Sequence, residues 1–234
     1  MKDFTDITVI LDRSGSMASI SDATVSGFDE FVNSQKAKGD NAALSLVQFD
    51  DVYEQVWNGL PINTVPSVRE IFVPRGMTAL RDAIGRTINE TGKRLAALPE
   101  AQRPNKVVMV IITDGYENAS KEFSYAQINE MVKRQNEQYS WAFIFLGANQ
   151  DAVLEASNLG IKGGWATTYN ANEGSVKKSF TRMSDHVNVY RSCTSALEAV
   201  QFVGNNKLWT DAERAELVAD EDSEPKIDNL VRNQ

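Results

Sequence analysis

The sequence predicts an α/β protein: a doubly wound, mainly parallel six-stranded sheet with one antiparallel edge strand and helices on both faces. Three observations carry this prediction. Apolar runs suited to strands alternate along the chain with stretches of helical periodicity, the order that builds a parallel sheet through crossover helices. Three of the four main runs are continuously apolar, as strands buried on both faces must be. The second run is followed at once by Asp50-Asp51 and a weaker run, a gap that suits a tight antiparallel hairpin at a sheet edge.

Taken in order, Ile7–Leu11 is the first strand. Val25, Phe28, Phe31 and Val32 then share one face of a helix from about Ser21 to Lys36. Ala43–Phe49 is the second strand, and Val52–Trp57 is the antiparallel edge strand. Leu80, Ile84, Ile88 and Leu95 mark a longer helix that ends before Pro99. Lys106–Ile112 is the next strand, followed by a helix marked by Tyr125, Ile128, Met131 and Val132. Trp141–Leu146 is a strand; Ala152, Val153, Ala156 and Leu159 form a helix stopped by Gly160. Trp165–Tyr169 is a last short strand, and Val176, Phe180, Met183 and Val187 mark the fifth helix.

Residues 1–205 therefore read as one domain. In 206–234, Thr210 is placed to cap a short helix through Val218. From Asp220 onward the chain is acidic and poor in large apolar residues, the composition of a disordered tail.

Composition narrows the function. The chain has 234 residues, 42% hydrophobic and 24% charged, an ordinary balance for a soluble globular protein. The net charge is -8, but residues 211–234 hold eight acidic and three basic side chains, so the body is close to neutral. No basic stripe appears, which argues against nucleic acid as a partner. A single cysteine, Cys193, permits no intrachain disulfide and suggests no redox role. No leader pattern and no apolar run of membrane-spanning length is present, so a cytoplasmic location without membrane contact is expected. The oligomeric state is not indicated.

Three loops carry the chemistry. Asp12-x-Ser14-x-Ser16 follows the first strand, Thr78 stands at the start of the second helix, and Thr113-Asp114-Gly115 follows the run Val107–Ile112. In open α/β sheets, ligands bind outside the carboxyl ends of the strands where the strand order reverses. If the strands before Asp12 and Asp114 are neighbours, two carboxylates and three hydroxyls meet there. Two carboxylates neutralise a divalent cation, and hydroxyls and waters fill most of an octahedron while leaving a position for an outside oxygen.

These residues resemble the von Willebrand factor type A domain and its metal-ion-dependent adhesion site, Asp-x-Ser-x-Ser, then Thr, then Asp. Asp12, Ser14 and Ser16 match the first element, Thr78 the second and Asp114 the third, and the resemblance covers roughly residues 4 to 200. It implies a Rossmann-like fold, Mg2+ (or Mn2+) as cofactor, and no catalysis. Ser14, Ser16 and Thr78 would be direct or near-direct ligands, and Asp12 and Asp114 would act partly through waters. A protein partner's Asp or Glu would complete the shell. The wording around Asp12 and Thr113-Asp114-Gly115-Tyr116-Glu117-Asn118 is most similar to stand-alone intracellular bacterial members, some of which accompany stress-response systems.

Other readings remain at this stage. Ser14, Ser16 and Thr78 are also good helix N-caps, and Asp114-Gly115 is a common turn pair. Haloacid-dehalogenase-type phosphatases present an Asp at a strand end, but they need a second Asp where this chain has Ser14. A metal-indifferent structural component of a larger assembly is a third reading. Gly92-Lys93-Arg94 lacks the spacing of a phosphate loop, and His186, the only histidine, reads as a structural residue. Met17, Met77 and Tyr116 flank the loops as a candidate apolar rim, although Met17 suits the core equally well. In the tail, Glu221, Asp222 or Glu224 could supply a tethered carboxylate to the site.

Overall fold

The computed structural model describes residues 3–148, 151–206 and 209–219. Six strands form one sheet: β1 (Thr5–Asp12), β2 (Ala42–Phe49), β3 (Tyr53–Pro61), β4 (Lys106–Thr113), β5 (Ala142–Ala148) and β6 (Ala166–Tyr169). Their order is β3-β2-β1-β4-β5-β6. Only β3 runs antiparallel, against β2.

The burial of each strand follows from its sequence. Every residue of β1, β2, β4 and β5 is buried. β3 has no buried residue, as an edge strand with one neighbour requires. It begins at Tyr53 and runs four residues beyond the expected end at Trp57, with register shifts opposite Leu44, Leu46 and Val47.

The helices are α1 (Ser21–Ala37), α2 (Leu80–Ala97), α3 (Tyr125–Tyr139), α4 (Ala152–Asn158), α5 (Glu173–Ser192), α6 (Ala196–Asn206) and α7 (Asp211–Val218). The chain steps from β1 to β2 in one direction and from β4 to β5 in the other. Right-handed crossovers therefore put α1 and α3 on opposite faces of the sheet. α5 packs on α1, where Gly27 lies against the Phe180 ring, and α2 packs on α3. β1 and β4, the two middle strands, are neighbours at the point where the winding reverses.

Two features at the carboxyl-terminal end of the chain differ in legibility. α6 was not expected, although Ser195 and Glu198 have capping-box spacing, and Ser195 Oγ accepts the Glu198 N–H at 3.1 Å. α7 starts behind Thr210 with a full capping box to Glu213. It is docked on the domain: Trp209 and Leu217 are fully buried, and the Leu217 carbonyl accepts the Asn170 N–H. The acidic run from Asp220, with Glu221, Asp222 and Glu224, lies outside the described residues. No helix among the described residues is long and apolar enough to cross a membrane.

Candidate functional site

Asp12 ends β1 and is fully buried. The chain then turns through Arg13 and Ser14 into a 3-10 helix, Gly15–Ile20, that leads into α1. Asp12 fixes this turn itself, because its Oδ1 accepts the Ser14 N–H at 2.6 Å. Its Oδ2 accepts the hydroxyl of Thr113, the last residue of β4, at 2.6 Å. One carboxylate thus joins the β1 loop to the neighbouring strand.

The remaining expected residues converge on the same place. Ser14 Oγ lies 3.1 Å from Ser16 Oγ, and the Ser16 hydroxyl donates to Asp114 Oδ1 at 2.6 Å. Thr78 is held by backbone bonds: its N–H donates to Asn118 Oδ1, and its carbonyl accepts the N–H groups of Asn118 and Ala119. All five expected side chains are brought together by three loops at the reversal of the winding.

The helix-cap alternative, open for Ser14, Ser16 and Thr78, finds no support: Ser16 lies inside the 3-10 helix and Thr78 one residue before the N-cap of α2. The 3-10 helix begins behind Ser14 and α2 behind Ala79, and at neither start does the N-cap residue's own side chain make a capping hydrogen bond. The first turn of α2 is capped from another loop, by Glu117 to the Arg81 N–H and Ser120 to the Asp82 N–H. The Ser14 and Thr78 hydroxyls therefore remain directed to other work.

Gly115 tests whether these residues suit a metal. A Cβ placed on it would lie 2.7 Å from Thr78 Oγ1, 3.5 Å from Ser16 Oγ and 3.6 Å from Ser14 Oγ. One point in front of Gly115 is thus within reach of all three hydroxyls, and the missing side chain keeps it open. The donors are two carboxylates and neutral hydroxyls, the oxygen set that hard divalent cations such as Mg2+ and Mn2+ prefer. The residues fit such an ion. Among the described residues no group of three or more His, Cys, Asp or Glu side chains could hold a metal; here most of the donors are hydroxyls.

Electrostatics point the same way. Burial pushes the Asp12 carboxyl up to about 6, partly offset by its bonds from Thr113 and Ser14, with a smaller upward push from Asp114. Burial also raises Asp114, against the Ser16 hydroxyl and a backbone N–H that lower it. Tyr169, fully enclosed below, is raised by burial and then by Asp114 and Asp12. Among the described residues no lysine or arginine pairs with either aspartate. The guanidinium of Arg13, the residue next to Asp12 in the chain, is engaged by Asp50, Gln48 and Glu54. Two neighbouring carboxylates with no side-chain cation paired to them, one of them fully buried, favour the arrival of a divalent one.

Sequence reasoning missed the residues that lace the loops together. Asp50 Oδ2 accepts from Arg13 Nε at 3.1 Å and from Arg75 Nε at 2.9 Å, and the Asp50 carbonyl accepts the Ala79 N–H. Gly76 adopts φ +70°, lies against the Asp51 carboxylate and accepts the Gly15 N–H. The pair Asp50-Asp51 was legible only as a hairpin turn, because both partners of Asp50 lie far along the chain. Of the expected rim, Met17 is fully buried, whereas Met77 and Tyr116 are 53% and 69% exposed.

Comparison with known proteins identifies the family and the fold. The model of the von Willebrand factor type A domain matches residues 6–182. A variant of the PilB minor pilin from Streptococcus sanguinis is similar in structure, with 14% identity and a TM-score of 0.55 over 79% of this chain and 61% of that one. A von Willebrand factor type A protein from Catenulispora acidiphila gives 13% identity and 0.55 over 77% of this chain and 42% of that one. The manganese-loaded TRAP protein of Plasmodium vivax gives 15% identity and 0.52 over 76% and 73%. At these identities the likeness concerns the fold, and the chain spans less than two-thirds of the length of the first two. No curated protein sequence matches it.

Proposed function

Because the chain belongs to the von Willebrand factor type A domain family, we propose that it is a metal-dependent protein-binding module that makes and breaks no covalent bond. The family generally consists of interaction modules. Asp12, Ser14, Ser16, Thr78 and Asp114 hold a divalent cation, Mg2+ or Mn2+. When bound, the cation supplies a positive charge with a free coordination position for a partner's Asp or Glu. The protein's own part is to present the oxygens already assembled, to exclude side chains at Gly115, and to keep competing cations such as Arg13 engaged elsewhere.

The observation that carries this reading is the meeting of three hydroxyls at one point in front of Gly115, bordered by the two carboxylates. Exposed Met77 and Tyr116 beside it give a partner apolar surface to cover. We place the protein in the cytoplasm of a bacterium, in a complex or stress-response system, on the wording of its loops. Calorimetric titration with Mn2+ tests the metal site: one ion per chain is expected, with no heat from Asp12→Ala. Capture of a partner in Mg2+ and its release by EDTA tests the docking. Partner binding indifferent to EDTA and to Asp12→Ala would sink the proposal.

A further inference from the structure

We propose that the cleft between α2 and α3 binds a small aromatic carboxylate, at a site separate from the metal-docking face. The cleft has a volume of about 410 Å3, the size of a small-molecule pocket. Its walls are the last turns of α2, segment 103–105, Val107 near the start of β4, the end of α3 and Trp141. Val107 stands six residues before Thr113 on β4, about 20 Å at about 3.3 Å per residue. The cleft therefore opens at the opposite end of the sheet from Asp114.

Two residues of its walls carry unpartnered polar groups. Gln135 is 7% exposed and Trp141 5% exposed. Neither the Gln135 carboxamide nor the Trp141 indole N–H makes a hydrogen bond among the described residues, and neither is sealed from solvent as the Trp209 indole N–H is. Both residues line the cleft, so their bonds come from whatever fills it. The charges of the rim specify an anion. Arg103 and Arg134 line the cleft, and no Asp or Glu does. Arg103 is fixed against the end of α2: its Nε donates to the Leu98 carbonyl and its Nη2 to the Ala96 carbonyl, both at 3.1 Å, which leaves Nη1 to a ligand. Arg134 makes no hydrogen bond or salt bridge among the described residues, although Glu130 and Glu137 lie one turn away on α3. Guanidinium and indole nitrogens only donate, and the carboxamide can donate too. A carboxylate suits this set, since its two oxygens match the planar fork of an arginine. Leu95, Val107 and the Trp141 ring, all buried, supply apolar walls for an aromatic body. Gly92, inside α2, lines the same cleft with nothing within 4 Å of its Cβ position. No packing neighbour requires this helix-weakening residue, and it leaves the wall free of a side chain.

The test uses the full chain in EDTA, so that no metal can hold the carboxylate. NMR titrations follow 2-naphthoate, its neutral amide 2-naphthamide, and inorganic phosphate. 2-Naphthoate is expected to saturate and to shift the amide signals of Val107, Gln135 and Trp141 while leaving Gly115 unmoved. 2-Naphthamide is expected to bind about tenfold less well, the loss that goes with charge-assisted hydrogen bonds, and phosphate not measurably. Arg134→Gln changes an exposed side chain and should weaken 2-naphthoate about fivefold, the upper range for an exposed ion pair. Gln135→Leu removes the carboxamide at nearly constant volume and should weaken it by a similar factor. Lys133→Gln, exposed on the same helix but outside the cleft, should change nothing. No saturable shift with 2-naphthoate, equal binding of acid and amide, displacement by phosphate at similar concentration, or an affinity indifferent to both Arg134→Gln and Gln135→Leu overturns the proposal. None of these results bears on metal-dependent docking, which is read with the metal present.

Discussion

Gly115→Ala isolates the metal site from the rest of the fold. The added methyl would stand 2.7 Å from Thr78 Oγ1, closer than a real Cβ approaches oxygen, and within 3.6 Å of Ser14 Oγ. Either the methyl occupies the space in front of the three hydroxyls, or Thr78 rotates and withdraws its hydroxyl. Both outcomes remove metal affinity, and we expect a loss of about 100-fold or more, ~2.7 kcal/mol. The fold should suffer little. Gly115 is not among the positive-φ glycines, so alanine is conformationally acceptable. The gain of about 0.4–1 kcal/mol from a stiffer unfolded chain offsets part of an overpacking cost of about 1–3 kcal/mol. The assay is thermal unfolding with and without Mn2+. At 100 times Kd the wild type gains about 2.7 kcal/mol, a rise of roughly 5–10 °C for a chain of this size. Gly115→Ala is expected to show almost no rise. Gly92→Ala is the control, because nothing lies within 4 Å of its Cβ position on α2; it should stabilise by about 1 kcal/mol and keep the full metal response. A wild-type Mn2+ response in Gly115→Ala would refute the argument.

Three further predictions follow from the same geometry. Asp12→Asn should abolish Mn2+ binding in calorimetry yet leave the EDTA-treated protein no less stable to urea at pH 7, because it removes a buried charge whose pKa is raised to about 6; a purely structural Asp12 would instead cost stability. Asp50→Asn, which weakens the ties to Arg13 and Arg75 without touching any proposed ligand, should lower Mn2+ affinity about tenfold, as outer supports of metal sites do; unchanged affinity would show that the loops hold each other without it. His186 lies edge-on to Trp209, and burial lowers its pKa from 6.5 to about 4. A depressed histidine supports the fold fully above pH 6.5 and loses that support as pH falls towards 4, because the unfolded chain takes up the proton first. Urea unfolding should therefore show wild type losing ~2 kcal/mol relative to His186→Gln between pH 7 and pH 5; equal slopes would contradict the burial.

Much of the fold was legible because its signals are local. The continuous apolar runs became strands buried on both faces, and the Asp50-Asp51 gap became the hairpin to edge strand β3. Thr210 and Glu213 cap α7 at the expected place. Ser195 and Glu198 carried a similar signal for α6, but the apolar pattern behind them is short, so the helix was passed over.

The sequence by itself determined which oxygens are available: Asp12, Ser14, Ser16, Thr78 and Asp114, each at a strand end or helix start. It also determined the alternation that makes β1 and β4 eligible neighbours. Only the tertiary structure decided that the five converge, and that Ser14 and Thr78 are not engaged as helix caps. It alone showed that Glu117 caps the helix Thr78 precedes, that Asp50 ties Arg13 to Arg75, and that a cleft opens between α2 and α3. The physical reason is range. Apolar periodicity and turn chemistry act over a few residues, whereas the site is made by contacts such as Ser16 to Asp114, 98 residues apart. Those contacts exist only once the strand order is set.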